Sequence, residues 1–219
     1  MKKIILLVLA ITLSNCSKIK VLDEPTTYIF NKPLQIDSTK FQLLTERFNL
    51  NNIEEVSETY GGLKPKYEMS YVTQLLTDST TVNSLWLNQG LLPFGFNILV
   101  KNRDTFEIID TKTKFNDYFL PISDEEEALS YVSIITGTSC EYEFDIKFRY
   151  RTFVKTINRS YAIKVKNGFE TLTFDYDLFG CGPHSHYSVK NFVDYNGNIR
   201  LIEKRKIYEN PEEDGLCVD

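Results

Sequence analysis

Few residues in this chain carry chemistry: its 219 residues include four cysteines and two histidines. Both histidines and one cysteine share a single run, Gly180-Cys181-Gly182-Pro183-His184-Ser185-His186. Thiolate and imidazole suit copper or zinc. His184 and His186, at i and i+2 on a strand, point to one face and could chelate together. The same run could supply a Cys–His nucleophile pair. Against both stands the shortage of partners. A disulfide at Cys181 removes its thiolate, zinc wants a third or fourth ligand, and no third orienting residue is identifiable. The run reads first as a structural loop beside a disulfide. Copper or zinc binding through Cys181, His184 and His186 is the second reading.

The N-terminus carries the other informative cysteine. Lys2 and Lys3 form a positive start, and Ile4 to Leu13 form an apolar run of ten residues. That run is too short for a ~30 Å hydrocarbon core and has the order of an export signal. Leu13-Ser14-Asn15-Cys16 resembles the lipobox of bacterial lipoproteins, with Asn15 standing where that family has a small residue. The resemblance implies cleavage before Cys16 and acylation there, which anchors the chain to a bilayer without a transmembrane helix. Ser17-Lys18-Ile19-Lys20 follows, with neither the Asp nor the acidic run that redirects some lipoproteins. The expected location is therefore the cell envelope, on the outer membrane facing the periplasm. Removing residues 1–15 takes two lysines and no acid, leaving 23 Lys/Arg against 30 Asp/Glu and a charge of −7. So acidic a chain, with no basic cluster, is a poor nucleic-acid partner.

An oxidising compartment makes cysteine pairing an arithmetic question. With Cys16 acylated, Cys140, Cys181 and Cys217 remain: one disulfide and one leftover thiol. Asn196-Gly197 is a hairpin turn, and residue 181 reflected about it lands near residue 212. Cys181 and the tail bearing Cys217 thus emerge at one end of a sheet. Cys140 reaches that end only if Asn167-Gly168 is a bulge instead of a turn. The expected pair is Cys181–Cys217.

The elements that position these residues follow from periodicity. Residues 16–37 read as a tether, with Tyr28–Phe30 an edge-strand candidate. Phe41, Leu44 and Phe48 predict a short helix, and Ile53, Val56 and Tyr60 repeat the spacing before Gly61-Gly62. Residues 67–76 and 82–101 read as strands, and 95–110 as a hairpin turning at Asn102-Arg103-Asp104. Ser123, with Glu126 three residues on, has capping-box spacing. The helix it opens shows an apolar stripe of Ala128, Leu129, Val132 and Ile135 and stops at Gly137. Tyr142, Phe144, Ile146, Phe148 and Tyr150 alternate with charged residues, the strongest strand pattern in the chain. Further alternating runs follow up to Ile207, with turns at Asn158-Arg159, Asn167-Gly168, Gly182-Pro183 and Asn196-Gly197.

The fold class expected is α+β, a helix packed on an antiparallel meander sheet, preceded by a smaller mixed α/β N-terminal portion. Residues 38–219 read as one domain, divisible into 38–120 and 121–219. The helix headed by Glu126-Glu127-Ala128-Leu129-Ser130-Tyr131-Val132, followed by strands with a Tyr195-Asn196-Gly197-Asn198 turn, resembles PepSY-like modules. These are small periplasmic or extracellular domains suspected of inhibiting or chaperoning peptidases. The Phe179–His184 stretch resembles one in uncharacterised bacterial lipoproteins.

No Gly-rich phosphate loop, nucleophile elbow or zincin motif is present, and no motif calls for a cofactor. The leading functional expectation is a non-enzymatic, lipid-anchored envelope module that binds a protein or peptide. Metal binding at His184 and His186 is the runner-up. A hydrolase built from scattered carboxylates is third, and it requires a pocket with two acids of raised pKa. The intact mass of the mature protein checks the address. It should begin at Cys16 and carry acyl chains, and Cys16→Ser should move the protein from the detergent phase to the aqueous phase. A mature mass without acyl chains contradicts the lipid anchor.

Overall fold

The computed structural model describes residues 20–22, 38–54, 68–75, 84–87 and 94–218. Cys16, the signal segment, Tyr28–Phe30 and Gly61-Gly62 lie outside them. Within the stretch read as a tether, β1 (Lys20–Leu22) pairs parallel with β8 (Thr156–Asn158), so that part is docked.

The helix predicted from Phe41 is α1 (Ser38–Phe48). The next predicted helix is not formed at its start. Asn52–Glu54 is instead β2, paired antiparallel with β3 (Glu68–Leu75). β5 (Phe94–Asn102) lies between β3 and β4 (Trp86–Leu87), and its hairpin partner is β6 (Thr105–Ile109). The turn falls at Arg103, with φ of 57°.

Two helices connect this sheet to the next. Sequence periodicity missed α2 (Lys112–Phe119), a helix of two turns. Thr111 caps it by accepting from the Lys114 amide, and Phe115 and Phe119 form its buried face. α3 (Glu125–Thr136) is the predicted helix, with its cap one residue later than expected. The Asp124 carboxylate accepts from the Glu127 amide at 2.9 Å. The Glu127 carboxylate reaches back to the Ser123 amide and hydroxyl at 2.8 and 2.7 Å. Asp and Ser are comparable caps, so the sequence alone does not rank them. Gly137, at φ 70°, closes the helix.

The C-terminal sheet has the order β7 (Arg151–Thr152), β13 (Ile199–Glu209), β12 (Ser185–Asp194), β10 (Gly168–Tyr176), β9 (Tyr161–Val165). Strands β9, β10, β12 and β13 form the antiparallel meander, with α3 packed against it. The α+β expectation holds. Asn167-Gly168 is a turn, with Asn167 at φ 69°. One buried cluster joins the two portions: Ile98, Val100 and Ile109 from the first sheet, Phe115 and Phe119 from α2, Leu129 and Tyr131 from α3, and Phe169 and Val193 from the second sheet. No described helix is long and apolar enough to cross a membrane.

The main departure lies at residues 142–150, which are not a ladder strand. The alternation survives as burial only over 142–147: Tyr142, Phe144 and Ile146 pack inward and Glu143, Asp145 and Lys147 are exposed, whereas Phe148 is 87% exposed. The backbone nearby meets the sheet through a bridge between Ser139 and Phe174 and a bond from the Ser160 amide to the Glu141 carbonyl. Any extended segment crossing a core alternates its side chains. The period reported extended backbone against apolar surface, and it could not report a hydrogen-bonded partner. The Asn158-Arg159 turn likewise leads out of β8, which is not part of the meander.

Two glycines are required by close approach. A Cβ on Gly168 would lie 2.2 Å from the Val193 carbonyl oxygen. A Cβ on Gly197, at φ 78°, would lie 2.4 Å from the Tyr131 hydroxyl. That hydroxyl donates to Asn116 Oδ1 at 2.6 Å, tying α3 to α2. Gly197→Ala should therefore cost about 1–3 kcal/mol for the backbone alone. Gly197→Ala/Tyr131→Phe should recover part of the lost melting temperature. Equal melting of wild type and Gly197→Ala contradicts the packing described.

Candidate functional site

The run from Gly180 to His186 is built around the C-terminal tail. β11 (Gly180–Cys181) pairs antiparallel with β14 (Cys217–Val218), setting Cys181 opposite Cys217, and the two form a disulfide. The tail has other anchors. Arg149 donates to Glu212 at 2.9 Å and Arg151 to Asp214 at 2.8 Å. Tyr176 donates to Glu213 at 3.2 Å. Glu209, nearly buried at 5% exposure, takes Lys206 at 2.7 Å, Arg151 at 3.1 Å and the Ser185 hydroxyl at 2.8 Å. Burial raises the Glu209 carboxyl, but these partners outweigh it and hold the group low.

The histidines are not arranged as the chelating pair of the second reading. His184 precedes β12 and is buried, and both of its ring nitrogens face backbone carbonyls. Nδ1 lies 2.9 Å from the Asp177 oxygen and Nε2 lies 3.2 Å from the Leu216 oxygen. Neither nitrogen is open to a metal. The ring instead clamps the tail to the loop after β10. His186 lies flat between two tyrosines, with centroids 4.3 Å from both Tyr176 and Tyr208. Tyr150 stacks on Tyr208 at 5.6 Å and extends the column to four rings. Burial lowers the His186 pKa, with Glu213 opposing. The ring is therefore neutral at neutral pH. Among the described residues no group of three His, Cys, Asp or Glu side chains could hold a metal ion.

The leftover thiol, Cys140, is free and fully buried, and burial pushes its pKa up to about 12. A thiol so protonated is a poor nucleophile. The Cys–His pair is not assembled.

A cavity of about 340 Å³ adjoins the ring column, lined by Ser139, Glu141, Phe144, Phe174 and Asp175 as well as Tyr176, His186 and Tyr208. The extended segment after α3 puts Glu141 there. The Ser139 hydroxyl donates to its carboxylate at 2.9 Å, and burial raises its pKa against that bond. Asp175 is bound to Lys204 at 2.6 Å. Sequence reading missed Glu141, Tyr150, Tyr176 and Tyr208. The available signal was the His186–Tyr208 pairing, but two register shifts in the β12–β13 ladder hid it.

The third feature is the outer edge of β13. β7 pairs with β13 only at Tyr208 and Glu209, and the Phe153 amide bonds the Ile207 carbonyl. From Ile199 to Lys206 no described residue pairs with that edge. All residues from Arg200 to Arg205 are exposed, including Leu201 at 56% and Ile202 at 40%.

No protein-family model, curated protein or solved structure matches the chain.

Two measurements check the site. In denaturant the mature protein should show one titratable thiol, Cys140, and Cys217→Ser should show two. The 36-residue separation puts the stability lost on opening the disulfide at about 3–4 kcal/mol. The raised Glu141 carboxyl favours the folded state while protonated, and that contribution is lost as pH rises through its folded pKa. Glu141→Gln should therefore melt higher than wild type at neutral pH, and the gain should vanish below the ordinary carboxylate value of 4.5. A variant that melts lower at every pH contradicts the burial argument.

Proposed function

We propose that this chain is a lipid-anchored, non-enzymatic envelope protein that binds an extended acidic segment of a partner protein along β13. The anchor is the acylated Cys16, argued from the ordered signal segment and its Leu13–Cys16 box. The outer edge of β13, unpaired by any described residue from Ile199 to Lys206, is the observation that supports the binding mode. A strand with unpaired backbone groups is a template for another strand, which gains main-chain hydrogen bonds along its length.

The edge also favours one class of partner. Leu201 and Ile202 offer exposed apolar contacts at the bulge where the β12–β13 register shifts. Arg200, Lys204, Arg205 and Lys206 surround them, with Glu203 the one acid. Lys204 and Lys206 have carboxylate partners. Arg200 lies over the Phe192 ring, and no ion pair among the described residues engages it or Arg205. Like charges opposite one another destabilise a strand pair, which disfavours pairing of this edge with a second copy. An acidic extended segment meets complementary charge.

The test uses a short peptide alternating Val and Glu, with a Val/Lys peptide as control. The acidic peptide should bind and slow amide exchange between Arg200 and Lys206. Arg200→Glu/Arg205→Glu should weaken it by about tenfold or more, roughly 1.4 kcal/mol. Raised salt should weaken it also. Equal binding of both peptides, or protection elsewhere in the fold, contradicts the proposal.

A further inference from the structure

We propose that the cavity bordered by Glu141, Tyr176, His186 and Tyr208 is a binding site for an organic cation with N–H donors, a primary ammonium or guanidinium head. No residue from 199 to 206 lines this cavity, although Lys204 pairs with its Asp175, and either reading can fail without the other.

The first argument is charge. The cavity lining has two carboxylates and no Lys or Arg. Asp175 is answered by Lys204. Glu141 is not: the Ser139 hydroxyl is its side-chain hydrogen-bond partner, and no described cation pairs with it. Half-buried carboxylates lose hydration that one hydroxyl replaces only in part. A bound ammonium would restore a charge-assisted partner where solvent screens less than at the surface.

The second argument is shape. The volume falls at the lower end of the range for small-molecule pockets. Phe144 packs edge-on against Phe174 at 5.1 Å, giving the cavity an apolar side for an alkyl stem. Tyr176 and Tyr208 are held in place by stacking on His186. Burial pushes the Tyr208 phenol upward, and the Glu141 charge adds to it. The ring column sets the walls before any ligand arrives, so little ordering is left to oppose binding.

The probe is n-butylammonium, titrated into the disulfide-intact mature protein while the His186 ring resonances are followed. n-Butanol is the neutral control of like shape. The ammonium should shift His186 saturably, and the alcohol should bind at least tenfold more weakly. Glu141→Gln, with folding checked by its amide spectrum, should lose at least tenfold in affinity for the ammonium. In the wild-type protein, acidification through the titration of Glu141 should release the ligand, which requires no variant to fold. The proposal is overturned if the alcohol binds as tightly, if Glu141→Gln retains affinity, or if wild-type binding persists on acidification.

Discussion

Burial of β10 on both faces is the constraint from which the rest of this structure follows. Phe169 is fully buried in the cluster that contains α3, while Leu172 and Phe174 belong to a second cluster with Ile157 and Ile207. A strand buried on both faces needs two covers. α3 supplies one. The other is the chain leaving α3, which runs extended and sets Phe144 and Ile146 against the second cluster. That crossing has chemical consequences: it carries Glu141 to the cavity beside Phe174 and buries Cys140.

The tail depends on the same sheet but is held differently. Residues 210–218 bury little apolar surface, and Leu216 is 47% exposed. Covalent and polar contacts hold them instead: the disulfide, the Arg149 and Arg151 pairs, and the His184 clamp. Fixing the tail also places Glu213 where it accepts from the Tyr176 hydroxyl. Both histidines are thereby used in positioning, one for the tail and one for the cavity wall.

How far the sequence disclosed this differs by element. The α3 stripe, the 95–110 hairpin and the Asn196-Gly197 turn were legible, because local periodicity and turn chemistry specify them. The Cys181–Cys217 pair was legible for a topological reason: reflection about the hairpin turn carries both to one end. Segment 142–150 was misread because an extended cover and a ladder strand share a period of two. The His186–Tyr208 stack was illegible because of bulges. Carrying the Val193–Ile199 register back unbroken sets His186 opposite Lys206; the two register shifts set it opposite Tyr208. Each bulge adds one residue to one strand, and nothing in the local sequence announces it. The pairing of His184 with two carbonyls rests on loop geometry of the same non-local kind.

From Ile199 to Lys206 the outer edge of β13 has no partner among the described residues. Amide exchange in the free protein tests this most directly. The β13 amides that bond to β12 should exchange slowly and the outward ones fast, with the alternation changing phase at Ile202, where the register shifts. The amides of β10, bonded on both sides, should exchange more slowly than any outward amide of β13. Uniform protection from Arg200 to Lys206 would show that the chain itself already occupies the edge, and would contradict the account.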